Sequence, residues 1–294
     1  MAPFLLIQDF VGYLKVEKRF SVHTLSAYEK DLIQFFDFAS FSTFEELKSV
    51  RSSLIRSWIV ELIDQKINTR SVNRKLSTLR SFFKWMKKNG FITDNPLAKI
   101  NGPKTAKKLP QFAKESELSS STAESYFSDD FDGVRDHLMI EFFYQTGMRL
   151  SELINLKWTD VSGQSIRVLG KRNKERLIPI SKSLYSLYCS YLSLRHEIRP
   201  CDENVFVLNN GNKLYPKFVY RKINNYLSSV TSLDKCSPHV LRHTFATHML
   251  NNGAGLETLK DLLGHANLSA TQVYTHNSFA QLNAIYSQAH PRGH

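Results

Sequence analysis

Three short strings in the C-terminal half decide how this chain is read: Thr146-Gly147-Met148-Arg149-Leu150-Ser151-Glu152, His239-Val240-Leu241-Arg242-His243, and Leu263-Gly264-His265 with Tyr274 nine positions on. Lys171 lies between the first and second. In order, then, come Arg149, Lys171, His239, Arg242, His265 and Tyr274. Two guanidiniums, an ammonium, two imidazoles and a phenol form a set able to attack a phosphodiester with a side-chain oxygen. Arginine forks suit the non-bridging oxygens, whose charge grows in a pentavalent transition state. A phenol with a pKa of ~10 becomes a nucleophile only where its proton is accepted or positive charge surrounds it.

Local sequence supports each placement. Ser237-Pro238 reads as a helix start, with serine as the expected cap and proline in the first turn. His239 and Arg242 then share one face of that first turn, where the helix field favours an anion. Gly147 lets the chain leave the preceding helix tightly, and Glu152 is expected to hold the geometry around Arg149. Lys171 sits at a hairpin tip; spacing alone leaves Lys171 and Lys174 both open. Gly264 ends a helix and turns His265 inward. Any one of these residues alone is an ordinary surface or structural group, and Tyr274 is one of 12 tyrosines; type, order and spacing together carry the inference. His239, His243 and His248 raise a metal alternative. No glutamate follows His239 as a zincin needs, and Arg242 would set positive charge beside the ion. No metal site is expected, and His243 and His248 are read as packing residues.

Composition fits that chemistry. The 294 residues suffice for two domains, and 42% hydrophobic with 22% charged content reads as an ordinary globular protein. Lys and Arg number 39 against 27 Asp and Glu, a net +12. That surplus suits a polyanion, though charge alone does not separate a DNA-binding protein from one that is merely basic. Cys189, Cys201 and Cys236 have no metal-like spacing and are odd in number, which points to free thiols in a reducing compartment. The first residues show no basic stretch ahead of a long apolar run, and no segment approaches the ~20 apolar residues of a membrane span. A cytoplasmic location without membrane contact is expected.

The first hundred residues read as helices. Ser21 caps one with Leu25, Tyr28, Leu32, Phe35, Phe36 and Ala39 at helical spacing; a second covers Leu54 to Ile63; a third runs from Thr69 to Asn89 and stops at Gly90. On the third, Arg70, Arg74, Arg80, Lys84 and Lys88 lie opposite the apolar stripe. They are candidates for a phosphate backbone, against the ordinary alternative of a solvated basic face. Residues 101–112 form a Pro- and Gly-containing linker made basic by Lys104, Lys107 and Lys108, with Lys107 and Lys108 as further DNA candidates. The linker suits either a strap across a duplex or a passive spacer. Residues 113–294 read as helices at about 183–196, 216–229, 239–252, 256–263 and 278–289. They also hold a hairpin of Ser165–Leu169 and Arg176–Ile180.

The constellation resembles the tyrosine recombinases of the phage integrase family, in particular their Xer branch. Further strings carry the likeness: Ser21-x-x-Thr24-x-x-x-Tyr28-x-x-Asp31-Leu32, Arg74-x-Leu76-Ser77-x-Leu79-Arg80-x-Phe82, Asn95-Pro96, and the ending His290-Pro291-Arg292. The family hairpin pattern Gly-Lys-Gly-Asn-Lys-Glu-Arg selects Lys171, with Arg172 standing here where glycine is usual. The resemblance implies a mainly α fold with a small sheet in two domains. A SAM-like, core-binding helical domain (1–100) and a catalytic domain (113–294) together form a C shape. It implies that Tyr274 attacks a scissile phosphate to leave a 3′-phosphotyrosyl link. Arg149 and Arg242 would stabilise the phosphorane, His239 and His265 would assist proton handling, Lys171 would protonate the leaving 5′ oxygen, and Glu152 would support.

The same resemblance implies that neither ATP nor a metal cofactor is needed. Its partner is double-stranded DNA with paired inverted half-sites, bound by a homo- or hetero-tetramer that works through a Holliday junction. A second Xer recombinase and a septal DNA translocase are possible associates. The tail helix after Tyr274 would dock on a neighbouring protomer, against the plainer alternative of packing on its own domain. The ending favours resolution of chromosome dimers over service as a mobile element's integrase or resolvase. The complete set of six argues against a DNA-binding relative without catalysis.

Overall fold

A computed structural model describes residues 3–105, 111–170, 175–198, 202–264 and 276–293, with backbone only at 276–278. The chain divides into two compact units, Met1–Lys108 and Leu109–His294. Both are mainly helical, with one small sheet, as the sequence leads one to expect.

The first unit holds α1 (Pro3–Val16), α2 (Val22–Ala39), α3 (Phe44–Lys48), α4 (Ser52–Asp64) and α5 (Thr69–Lys88). Its helix starts are written in short polar side chains. Ser21 Oγ accepts from the Thr24 amide at 3.3 Å, and Asn68 Oδ1 from that of Ser71 at 2.8 Å. Thr43 and Glu46 cap α3 reciprocally. Gly90, at φ +72°, ends α5 in the left-handed region. The core is aromatic, with Phe10, Phe35, Phe36, Trp58, Phe82 and Phe83 almost wholly buried. Inside it, the Asp31 carboxylate accepts from Arg74, from Lys75 Nζ at 3.1 Å and from Thr78 Oγ1 at 2.9 Å, tying α2 to α5. Sequence periodicity assigns no helix before Ser21; α1 is there, burying Leu6, Ile7, Phe10 and Leu14. Residues 101–105 are laid against α5. Asn73 Nδ2 donates to Pro103 O at 2.9 Å and to Thr105 Oγ1 at 3.1 Å, and Arg80 Nη2 donates to Ile100 O at 2.8 Å.

The second unit is built round α7 (Phe131–Thr146), which follows α6 (Ser120–Tyr126). Its second half is buried on every side, as befits a helix at the centre of a bundle. After it come α8 (Leu150–Asn155), β1 (Ser165–Leu169), β2 (Glu175–Pro179), α9 (Lys182–Ile198), α10 (Pro216–Val230), α11 (Pro238–Asn251), α12 (Leu256–Leu263) and α13 (His276–Ala289). α9 and α11 pack on α7. The two strands pair antiparallel, Ser165 opposite Pro179 and Leu169 opposite Glu175, so β2 begins one residue earlier than its apolar pattern suggests.

One expectation is corrected here. Ser237 occupies the cap position of α11, but its side chain makes no cap hydrogen bond; Pro238 alone marks the start. The tail helix α13 packs against α11 and β2 of the second unit. Leu282, Tyr286 and Ala289 enter the core. Arg292 bonds Glu141 and the Leu118 carbonyl, and His290 Nε2 lies 3.1 Å from Tyr144 O. Burial holds the His290 imidazole down at about 4, so at neutral pH the ring is uncharged.

Candidate active site

The site is assembled where α7, β2, α11 and α12 end or begin. Gly147 caps α7 at φ +58°, with its amide bonded to Phe143 O at 3.0 Å. No larger residue fits, because a Cβ would lie 2.5 Å from Phe245 Cδ1 and 2.9 Å from Leu263 Cδ2. The sharp turn sets Arg149 at the cap of α8. There its own amide donates to Glu152 Oε2 at 2.7 Å and its Nη1 to Glu152 Oε1 at 2.7 Å. Glu152 thus bonds both the backbone and the side chain of Arg149.

Arg242 reaches the same place from the start of the second turn of α11. Its Nη1 donates to the Gly147 carbonyl and its Nη2 to Leu263 O at 2.7 Å. Arg149 Nη2 donates to Gly264 O at 3.0 Å. Helix ends leave their last carbonyls without intrahelical partners, and those of α12 are filled here by guanidiniums at the negative end of the dipole. Gly264, at φ +62°, closes α12 and leads the chain towards His265.

A third arginine, not anticipated from the sequence, completes the cluster. Arg176 on β2 is 4% exposed; its Nη1 and Nη2 grip Glu152 Oε1 and Oε2 at 3.0 and 2.8 Å, and its Nε donates to Leu262 O at 2.7 Å. It closes the hairpin pattern that selects Lys171, and its alternation with Ile178 puts it on the strand's buried face. That alternation was the available signal.

Electrostatics follow from these contacts. Burial alone raises the Glu152 carboxyl, but the Arg176 hydrogen bonds and charge, with the Arg149 bonds, overcome it and hold the group at about 2. Burial brings Arg242 down to about 10, helped by the charges of Arg149 and Arg176, which still leaves it protonated at neutral pH. Arg149 and Arg242 each commit two donors to the bonds described; a guanidinium has five, so among the described residues others remain for an anion.

His239 lies on the exposed side of the first turn of α11, one turn before Arg242. Lys171, His265 and Tyr274 fall outside the described residues, as do Lys107 and Lys108. On α5, Arg70 and Lys84 are exposed, Arg74 is exposed but bonded to Asp31, and Arg80 is half-buried and bonded to backbone. His248 is a packing residue: Nδ1 lies 3.0 Å from Tyr144 Oη and Nε2 2.9 Å from Ala113 O. Among the described residues no cluster of His, Cys, Asp and Glu is placed to hold a metal. Nor is any described helix long and apolar enough to cross a membrane.

Comparison with known proteins agrees with this architecture. The phage integrase family model matches residues 112–281, and that of the phage integrase N-terminal SAM-like domain matches residues 7–90. The tyrosine recombinase XerC of Staphylococcus carnosus (strain TM300) is 39% identical over 289 residues, covering 97% of each chain. That of Thermodesulfovibrio yellowstonii is 38% identical over 293 residues, covering 97% of this chain and 96% of the relative. Among solved structures, the XerH recombinase bound to palindromic difH substrate, a post-cleavage complex, superposes with a TM-score of 0.72. It shares 22% identity over 90% of this chain and 79% of that one. A lambda integrase dimer bound to a COC′ core site gives 0.69 at 19% identity, over 93% and 100%. The chain belongs to the phage integrase family, the tyrosine recombinases. Within that class it is a site-specific recombinase of the Xer type.

Proposed function

We propose that the chain cuts and rejoins DNA through Tyr274. The phenolic oxygen attacks the scissile phosphorus as the P–O5′ bond breaks, and Lys171 gives its proton to the departing 5′ oxygen. His239 and His265 take part in moving the phenolic proton and in hydrogen bonding to the phosphate. Arg149 and Arg242 bind the non-bridging oxygens as their charge grows. The 3′-phosphotyrosyl link keeps the ester energy, so a 5′-hydroxyl from a second duplex can reverse the step and pass through a Holliday junction. One observation carries this reading: two arginine forks reached from different helices converge on the turn Leu263–Gly264. His265 follows directly in sequence.

Arg70, Arg74, Lys84, Lys107 and Lys108, with a share from Arg80, would hold the backbone of the duplex by charge. The biological role proposed is resolution of chromosome dimers in the cytoplasm at cell division, by a tetramer on paired half-sites. It is supported by likeness to XerC relatives across nearly the whole chain. A duplex with a 5′-bridging phosphorothioate at the scissile position tests the chemistry. Covalent protein–DNA product should accumulate with the native chain and vanish in Tyr274→Phe; equal product in both refutes the assignment. Genomic mapping of a Lys171→Ala variant tests the role. One sharp peak opposite the replication origin supports it, and peaks confined to a mobile element overturn it.

A further inference from the structure

Arg176 stands apart from the other cations of the site. It is 4% exposed, and among the described residues its bonds all go to the site's framework. Both oxygens of Glu152 and the carbonyl of Leu262 are held by one rigid fork. Glu152 in turn takes the amide and one Nη of Arg149. Gly264 leaves room for the same side chain, since a Cβ there would lie 3.2 Å from Arg176 Cδ and Nη1. Arg176 also lies two residues after Lys174 in the sequence, on β2. Three segments thus meet on this one guanidinium: the hairpin strand, the start of α8 and the end of α12.

We propose that Arg176 is a positioning residue for recombination, fixing Glu152 and, through it, the Arg149 fork at the phosphate-binding turn. A lysine cannot do the same, since a single ammonium does not match two carboxylate oxygens and a carbonyl in one plane. The inference rests on Arg149 binding the scissile phosphate, as proposed above. A displaced fork loses transition-state contacts rather than fold, and an error near 1 Å costs on the order of 100-fold in rate.

The test compares strand cleavage by the full chain on three versions of the duplex recovered by genomic mapping. One has an ordinary scissile phosphate and two are its methylphosphonate stereoisomers, each lacking one non-bridging oxygen. The isomer on which Arg149→Ala loses least identifies the oxygen Arg149 holds. Arg176→Lys should cleave the phosphate roughly 30-fold more slowly than the native chain and come within about 3-fold on that isomer. Equal slowing on all three substrates reports a structural effect and overturns the proposal, as do native rates on all three. Should Arg149→Ala itself be slowed equally on all three, the phosphate-binding reading fails and this inference falls with it. If Arg176→Lys does not fold, Glu152→Gln reads the same link from the other side. Slowing relieved on that one isomer supports the proposal, and equal slowing or native rates on all three overturn it.

Discussion

Replacing Glu152 by glutamine removes a charge that two arginines share, and the cost can be worked from the site. The carboxyl is held at about 2 against an ordinary 4.5, and its side chain is only 3% exposed, so solvent screening takes little away. A difference of about 2.5 units at 1.36 kcal/mol per unit is roughly 3 kcal/mol of folding stability. The sign follows from the depressed value: the contribution is complete above 4.5, shrinks as pH falls towards about 2, and is absent below. Glutamine lacks it at every pH. The gap between the native chain and Glu152→Gln should therefore be roughly 3 kcal/mol at neutral pH and close between about pH 4.5 and 2. Urea unfolding read by hydrogen exchange in α8 measures it in the second unit. A gap under about 1 kcal/mol at neutral pH, or one that does not change on acidification, would refute the claim that Arg176 and Arg149 hold this carboxylate.

Gly147→Ala combines a left-handed backbone with a clash on Phe245, and should cost about 2–4 kcal/mol in urea unfolding of the second unit; a near-neutral result contradicts the tight turn. Ser237→Ala should change stability by less than about 0.5 kcal/mol, whereas Asn68→Ala, which removes a cap bond, should cost about 1 kcal/mol. Equal losses in the two would mean that Ser237 does cap its helix. Arg292→Met takes the charged partner from the buried Glu141 carboxylate, which keeps its Gln145 hydrogen bond, and should cost about 3 kcal/mol. Faster exchange or proteolysis in α13 would register it, and unchanged protection there argues against the Arg292 contact.

Much of the fold was legible because it is local. Ser21 announces a helix start, Gly90, Gly147 and Gly264 announce stops, and each holds in three dimensions. The hairpin was legible from two β-prone runs round a polar tip. The Arg149–Glu152 pair, three residues apart, was legible for the same reason. What escaped was pairing between distant parts of the chain. Nothing local to Arg176 says that its partner lies 24 residues earlier, and Asp31 gives no hint of Arg74, Lys75 and Thr78. Arg292 finds Glu141 across 151 positions, so the tail's placement on its own unit could not be read from its amphipathic pattern. That stripe would serve a neighbour equally well. Ser237 is the converse case: the right residue in the right place, with its hydroxyl unused.

The groups that Arg176, Arg242 and Arg149 seize on α12 are the peptide oxygens of Leu262, Leu263 and Gly264, an asset every amino acid possesses. Recognition of that segment is thus blind to side-chain identity, apart from the glycine that turns the corner. Its outward positions Leu256 and Glu257 are exposed and take no part in the grip. An engineer could regraft the outer surface of this helix and leave the three-pronged clasp beneath it untouched.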